Sequence, residues 1–170
     1  ALKTIIGNLM NFLQKNNIHV ISELGSISKA IIEAEYSQVY VLMDEHTNQH
    51  CLPLLQEALV DYEVYFFFLE VPAGEASKDL STCASLWESL SEDNADRKTL
   101  LLNLGGGMIT DLGAFVASLY KRGIPFFNIP TSLLAMVDAS IGGKCGIDFA
   151  GFKNQIGVFQ SADGTFIYPE

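Results

Sequence analysis

Apolar positions recur along the chain with two periods. Leu2, Ile5, Ile6, Leu9, Phe12 and Leu13 fall on one face at helical spacing, which predicts an amphipathic helix over 2–13. A short apolar run at 18–21 predicts a strand, and 26–34 a second helix. Residues 38–43 (QVYVLM) read as a strand and 47–60 as a helix. Residues 63–71 (EVYFFFLEV) are rich in β-branched and aromatic side chains and read as a buried strand. The segment 72–74 breaks it, and Leu80, Leu86, Trp87 and Leu90 space a helix over 78–90. Residues 99–104 (TLLLNL) form another apolar strand, which runs directly into Gly105, Gly106 and Gly107. A helix over 108–120, a strand at 126–129, a helix near 131–137, a glycine-rich loop at 140–151 and a last strand at 165–168 complete the pattern. Strands alternating with helices imply βαβ units. The expected fold is α/β: a Rossmann-like, mostly parallel sheet with helices on both faces. In such sheets ligands gather at the carboxyl ends of the strands.

The 170 residues suit one domain with a real core, and 49% of them are hydrophobic. No apolar run reaches the roughly 18 residues of a membrane span, and no secretory pattern opens the chain. Cys51, Cys83 and Cys145 are scattered and lack CxxC spacing, so reduced thiols in a cytoplasmic protein are expected. The net charge is −10 but unevenly placed: residues 1–96 balance at −11 and residues 97–170 at +1. An acidic chain argues against nucleic acid as a partner. The near-neutral half holds most of the glycine-rich sequence, with its few basic residues beside glycines, where a small anion could be held.

The glycine triplet is the strongest local signal. Without β-carbons the backbone can approach a ligand closely, and the helix N-terminus behind it suits a phosphate. A tight strand-to-helix turn with no ligand is the alternative. The spacing is not GxGxxG. Asp111, in the first turn of that helix, either complements the positive helix end or accepts hydrogen bonds from a cofactor. The second glycine loop ends in Gly142, Gly143 and Lys144. It is not a P-loop, since Asp138 stands where the first glycine belongs and Cys145 where Ser or Thr belongs. What remains is a lysine presented by a glycine pair, either a surface residue or an anion contact. His46 and His50 share a helical face, but two histidines do not make a metal site.

Together these segments resemble the 3-dehydroquinate synthase family. The resemblance is carried by GGGMITDLGAFVASLYKRGIPFFNIPTSLLAMVDASIGGKCGID, then KNQIGVF, with PAGEASK at 72–78 and the strand ending at Asp44. It covers about residues 18–168 and implies an NAD-binding α/β domain over 18–170, with 1–17 a helical segment packed on it. It also implies a set of roles. Asp44 would hold the adenosine ribose, with Glu75 and Lys78 also on the dinucleotide. Gly106, Gly107 and Met108 would line the pyrophosphate. Asp111, Thr131, Ser132 and Leu134 would hold the nicotinamide half. Asp138 would meet substrate hydroxyls, and Lys144 and Asn154 the substrate phosphate. Lys153, and Lys144 in part, would face the cofactor. Arg122 matches an arginine that reaches a neighbouring subunit's substrate.

The implied reaction converts 3-deoxy-arabino-heptulosonate 7-phosphate to 3-dehydroquinate and phosphate, a step of the shikimate pathway. NAD is transiently reduced, a zinc or cobalt ion takes part, and the enzyme is a homodimer. The family's metal ligands lie in a C-terminal helical domain expected to be absent from this chain, so no metal site is expected here and the chain alone should lack activity. The sequence departs from the family pattern at His46, Thr110, Ser132, Ala139 and Cys145, none of which removes a charged site residue. Another sugar-phosphate cyclase, or a non-catalytic dinucleotide-binding module, is the alternative reading.

Overall fold

The computed structural model describes residues 2–60 and 66–169. The elements in order are α1 (Leu2–Lys15), β1 (Ile18–Val20), α2 (Gly25–Glu33), β2 (Val39–Asp44), α3 (Glu45–His50), α4 (Leu52–Leu59), β3 (Phe66–Val71), α5 (Leu80–Glu92), β4 (Leu100–Gly105), α6 (Gly107–Leu119), β5 (Phe126–Pro130), β6 (Lys144–Phe149), β7 (Phe152–Phe159) and β8 (Gly164–Ile167). Six strands form one sheet in the order β1-β8-β5-β4-β2-β3, and every pairing in it is parallel. Positions 63–65 of the expected 63–71 strand lie outside the described residues.

Alternate residues of the central strands feed two cores. Tyr40, Leu42 and Leu101 point to the side covered by α5 and α6. Val39, Val41, Met43, Leu100 and Leu102 point to the side covered by α2 and α4. Both faces of the sheet are therefore covered, which is why these strands read as unbroken apolar runs. No helix among the described residues is long and apolar enough to cross a membrane.

Four expectations change. The helix expected over 47–60 is two helices: Cys51 breaks the first, and Pro53, lacking an N–H, sits in the first turn of the second. The helix expected near 131–137 closes as a π-turn over Ala135–Ala139, where the Ser140 N–H reaches back to the Ala135 carbonyl (3.1 Å). The glycine-rich loop at 140–151 is largely a hairpin, because β6 and β7 pair antiparallel through Ala150 and Gly151, both left-handed (φ 53° and 81°). Finally, α1 meets the domain at β1 but leaves its apolar face open. It carries no buried residue, and Leu2, Ile5 and Leu9 are more than half exposed. The turn at Asn17 (φ 53°) leads from α1 into β1, the outermost strand, so the helix has no central sheet face to cover.

Candidate functional site

The buried strand β4 ends at Gly105, and the three glycines that follow it do different work. A Cβ on Gly105 would come within 2.6 Å of Ile109, so that glycine is required by the strand-to-helix turn itself. Gly106 is the N-cap of α6 in extended conformation, and no side chain caps the helix. The first N–H groups of α6 have no intrahelical acceptor, and the positive end of its dipole faces outward. A Cβ on Gly106 would lie 3.4 Å from Ser132 Oγ and one on Gly107 3.4 Å from Ala139 Cβ. Side chains there would fit the fold but fill the slot between α6, Ser132 and Ala139. This uncapped, side-chain-free helix start fits the diphosphate of a dinucleotide. Met108, beside it, packs against the core.

Beside α6 stands a buried ammonium. Lys78 is only 3% exposed. Its Nζ lies 2.7 Å from Asn154 Oδ1, 3.1 Å from Asp111 Oδ2 and 3.2 Å from Glu75 Oε1. Burial pulls its pKa down, but the Asp111 and Glu75 carboxylates more than offset this, and the net shift is upward. Burial pushes the Asp111 carboxyl above its ordinary value against the pull of Lys78, and Glu75 and Asp138 push the same way. Glu75 also sits 3.9 Å from Lys153 Nζ, a largely exposed pair.

The hairpin completes a cleft of about 550 Å³ lined by Asp111, Asp138, Lys144, Asn154, Cys145 and Phe159 among others. Its register shifts between Ile147 and Phe149, where Asp148 alone faces Lys153, Asn154 and Gln155. Such an irregularity re-aims a side chain. Asn154 is left-handed (φ 51°), its N–H donates to Asp148 Oδ1 (2.8 Å), and its side chain reaches Lys78. The Asp148 N–H donates to the Lys78 carbonyl (2.8 Å), tying the hairpin to the segment before α5. Asp148 was not singled out in the sequence. The signal available was the pair of glycine-interrupted apolar runs flanking Ala150 and Gly151.

The structure thus brings together Glu75, Lys78, Asp111, Asp138, Lys144, Lys153 and Asn154, with Gly106, Gly107 and Met108 at the head of α6. Thr131 follows β5, and its N–H donates to the Gly105 carbonyl (3.0 Å). Ser132 Oγ accepts from the Ala135 N–H (3.3 Å), and Leu134 is 67% exposed. Asp44, at the carboxyl end of β2, caps α3: its Oδ1 accepts from the Thr47 N–H (2.8 Å). Arg122 is not in the cleft. It lies past the far end of α6, about 20 Å along the helix axis, exposed and left-handed (φ 70°). Among the described residues no three His, Cys, Asp or Glu side chains gather into a group able to hold a metal ion.

A family model described as 3-dehydroquinate synthase N-terminal matches residues 68–170. The 3-dehydroquinate synthase of Parabacteroides distasonis is 44% identical over 133 residues, covering 78% of this chain and 37% of that protein. The enzyme of that name from Clostridium kluyveri is 35% identical over 151 residues, covering 89% and 42%. The chain thus spans well under half the length of these relatives. A solved 2-epi-5-epi-valiolone synthase from Streptomyces hygroscopicus subsp. jinggangensis 5008, with NAD+ and Zn2+ bound, superposes with TM-score 0.79 at 28% identity, covering 89% of this chain and 42% of that one. A 2-deoxy-scyllo-inosose synthase complexed with carbaglucose-6-phosphate, NAD+ and Co2+ shares the fold at TM-score 0.79 and 24% identity, covering 89% and 41%. The glycine turn, the lysine cluster and the hairpin all lie within the matched region, and the chain belongs to the 3-dehydroquinate synthase family.

Proposed function

We propose that this chain supplies the NAD+ site and one wall of the sugar-phosphate cleft of a 3-dehydroquinate synthase. The observation that carries this reading is the uncapped, side-chain-free start of α6, which opens beside a cleft where a buried lysine meets Asp111 and Asn154. When bound, the nicotinamide accepts and returns a hydride. The chain's own residues bind and orient. The α6 amides of Gly107 and Met108 grip the diphosphate, and Asp44, through its uncapped oxygen, takes the ribose. Asp111, Thr131, Ser132 and Leu134 border the nicotinamide. Asp138 accepts from substrate hydroxyls. Lys144 and Asn154 hold the substrate phosphate, with Lys153 on the cofactor side.

Arg122, held outward by consecutive left-handed residues at Lys121 and Arg122, serves the cleft of a second copy in a homodimer. The site therefore takes 3-deoxy-arabino-heptulosonate 7-phosphate, and the working enzyme draws metal ligands from outside the described residues. Consistent with this, the 170-residue chain alone is expected to bind NAD+ weakly and to release no phosphate from that substrate.

Calorimetric titration of the chain with NAD+ tests the reading. Saturable binding that Gly106→Val weakens at least about tenfold, with the melting temperature kept, is expected from filling the slot. Absence of saturable binding, or binding indifferent to Gly106→Val, would remove its basis.

A further inference from the structure

Two amides sit inside the parallel sheet. Asn103 on β4 and Asn128 on β5 are register partners, 0% and 4% exposed. Asn103 Nδ2 donates to Asn128 Oδ1 (3.0 Å), and Asn128 Nδ2 donates to the Ser140 carbonyl (3.4 Å). Thr165 Oγ1, on β8, donates to the same carbonyl (3.2 Å). Ser140 itself closes the π-turn, since its hydroxyl and its N–H both donate to the Ala135 carbonyl (2.6 and 3.1 Å).

The relay has one direction. A carbonyl only accepts, so Asn128 must turn its amide toward Ser140. Its oxygen then faces β4, so Asn103 must present its amide in turn. Asn103 Oδ1 is left buried with no partner among the described residues. It lies against Gly113 of α6, where a Cβ would come within 1.8 Å of it. A buried orphan acceptor is costly. The fold places that cost at the distant end of the relay and gives the Ser140 carbonyl two donors.

The anchored carbonyl lies between cleft residues. Asp138 precedes it by two positions, and Gly142, Gly143 and Lys144 follow. Two glycines give this connection little stiffness of its own. The far end is tied by the Gln160 N–H to the Gly143 carbonyl (2.8 Å), and the near end by Ser140.

We propose that Asn103 and Asn128 are positioning residues of the anion cleft. By clamping the Ser140 carbonyl they set the direction in which the π-turn presents Asp138 and the loop presents Lys144. The identity of the anion as a phosphate rests on the function proposed above; the clamp does not.

The test is the double variant Asn103→Leu, Asn128→Leu. Leucine has the same number of side-chain heavy atoms as asparagine, and removing both amides leaves no new orphan, because Thr165 still serves Ser140. Amide hydrogen exchange over residues 140–144 is measured alongside titrations with inorganic phosphate and with NAD+. Exchange is expected to accelerate, and phosphate affinity to fall, by about fivefold or more for the lost tether. NAD+ affinity, set at the head of α6, should change by less than about twofold.

Thr165→Val removes only the other donor to the same carbonyl and should give a smaller acceleration in a sheet with both asparagines intact. If the double variant does not fold, the single variant Asn128→Leu, which removes the asparagine donor and keeps Thr165, decides the matter. Unchanged exchange over 140–144 in the asparagine variants overturns the proposal. So does a loss of phosphate and NAD+ binding in equal proportion to a fall in melting temperature. If the parent chain binds neither ligand, the proposed function fails, and the exchange rates alone decide the clamp.

Discussion

Lys78 Nζ and Asn154 Oδ1, 76 residues apart in sequence, meet at 2.7 Å. This contact joins the parallel sheet's helical layer to the antiparallel hairpin. With the Asp148 N–H on the Lys78 carbonyl, one residue fixes the hairpin by both its side chain and its backbone. The hairpin is also held by Cys145 and Ile147, which are buried in the core beside α6, and the Lys78 attachment sets its polar edge against the cleft. It brings Asn154 of the hairpin to Asp111 of α6 through one shared ammonium.

Lys78→Met should therefore loosen the hairpin and destabilise the chain. Removing one member of a buried ion pair leaves the other uncompensated, a loss of about 2 kcal/mol here, below the usual range for such pairs. The discount reflects the solvent contact Asp111 keeps, its side chain being 22% exposed. The pH dependence has a definite sign. Lys78 titrates above 10.5 in the folded chain, so its contribution is complete below pH 10.5 and is lost as pH rises through the elevated value. Urea denaturation at neutral and strongly alkaline pH should show this limb in the parent and not in the variant. In the variant, Asp111 should also protonate at higher pH than in the parent, which carboxyl NMR titration would reveal. An Asp111 titration unaffected by the loss of Lys78 would contradict the pairing.

Gly113→Ala offers a test with a reversal of sign. Alanine is favoured over glycine in a helix interior by about 1 kcal/mol. At this position, however, its methyl would lie 1.8 Å from Asn103 Oδ1, and overpacking of that kind costs about 1–3 kcal/mol. In the parent the substitution should destabilise. In an Asn103→Ala background the obstruction is gone, and the same substitution should stabilise. Chemical denaturation of the four proteins gives the coupling energy directly. A substitution equally harmful in both backgrounds would place the obstacle elsewhere.

The fold was legible because most of its elements obey one period each. The runs 38–43 and 99–104 are buried on both faces and cannot be mistaken for surface segments. The glycine triplet marks the carboxyl end of β4, the end at which ligands gather in parallel sheets. What escaped was set by tertiary contacts. The hairpin turns on Ala150 and Gly151 rather than an Asn-Gly pair, and its strands are interrupted by Gly146 and Gly157, whose Cβ positions would strike the opposing backbone at 2.8 and 2.4 Å. Gly146, read as a loop residue, and Gly157, assigned to no element, are both needed for close strand pairing. The π-turn depends on Ser140 bonding back to Ala135, which no spacing rule announces. The amphipathic pattern of α1 was read correctly as a helix, but periodicity does not say what a helix covers.

Thiol chemistry should distinguish the three cysteines. Cys83 is fully buried, and burial, aided by Asp79, pushes its thiol up to about 12. The thiolate is the reactive form, so Cys83 should resist alkylation at neutral pH until the chain unfolds. Cys145 is also buried and its thiol is likewise raised by burial; burial and Asp44 raise the Cys51 thiol too, but Cys51 is only partly covered and stays accessible. Mass spectrometry after iodoacetamide treatment should find Cys51 modified first, with Cys83 and Cys145 modified only in urea. Native modification of Cys83 would show that the α5 side of the core opens.

Acid stability should depend on Asp96. Its Oδ1 accepts from Ser37 Oγ (2.6 Å) and the Lys98 N–H (2.7 Å), joining the turn before β2 to the turn before β4. The Ser37 and Lys98 hydrogen bonds, with Thr99 adding to them, hold its carboxyl below the ordinary 3.8. A carboxyl with a depressed folded value contributes stability that is fully present above pH 3.8 and is lost as pH falls through the depressed value. Asp96→Asn cannot titrate, so its denaturation midpoint should fall less steeply than the parent's below pH 3.8. Ser37→Ala, which removes the largest contributor to the shift, should give an intermediate slope. Although the group is at the surface, added salt should leave the effect largely intact, because direct hydrogen bonds set it rather than distant charges. Parallel acid limbs for parent and Asp96→Asn would mean that these bonds do not survive in solution.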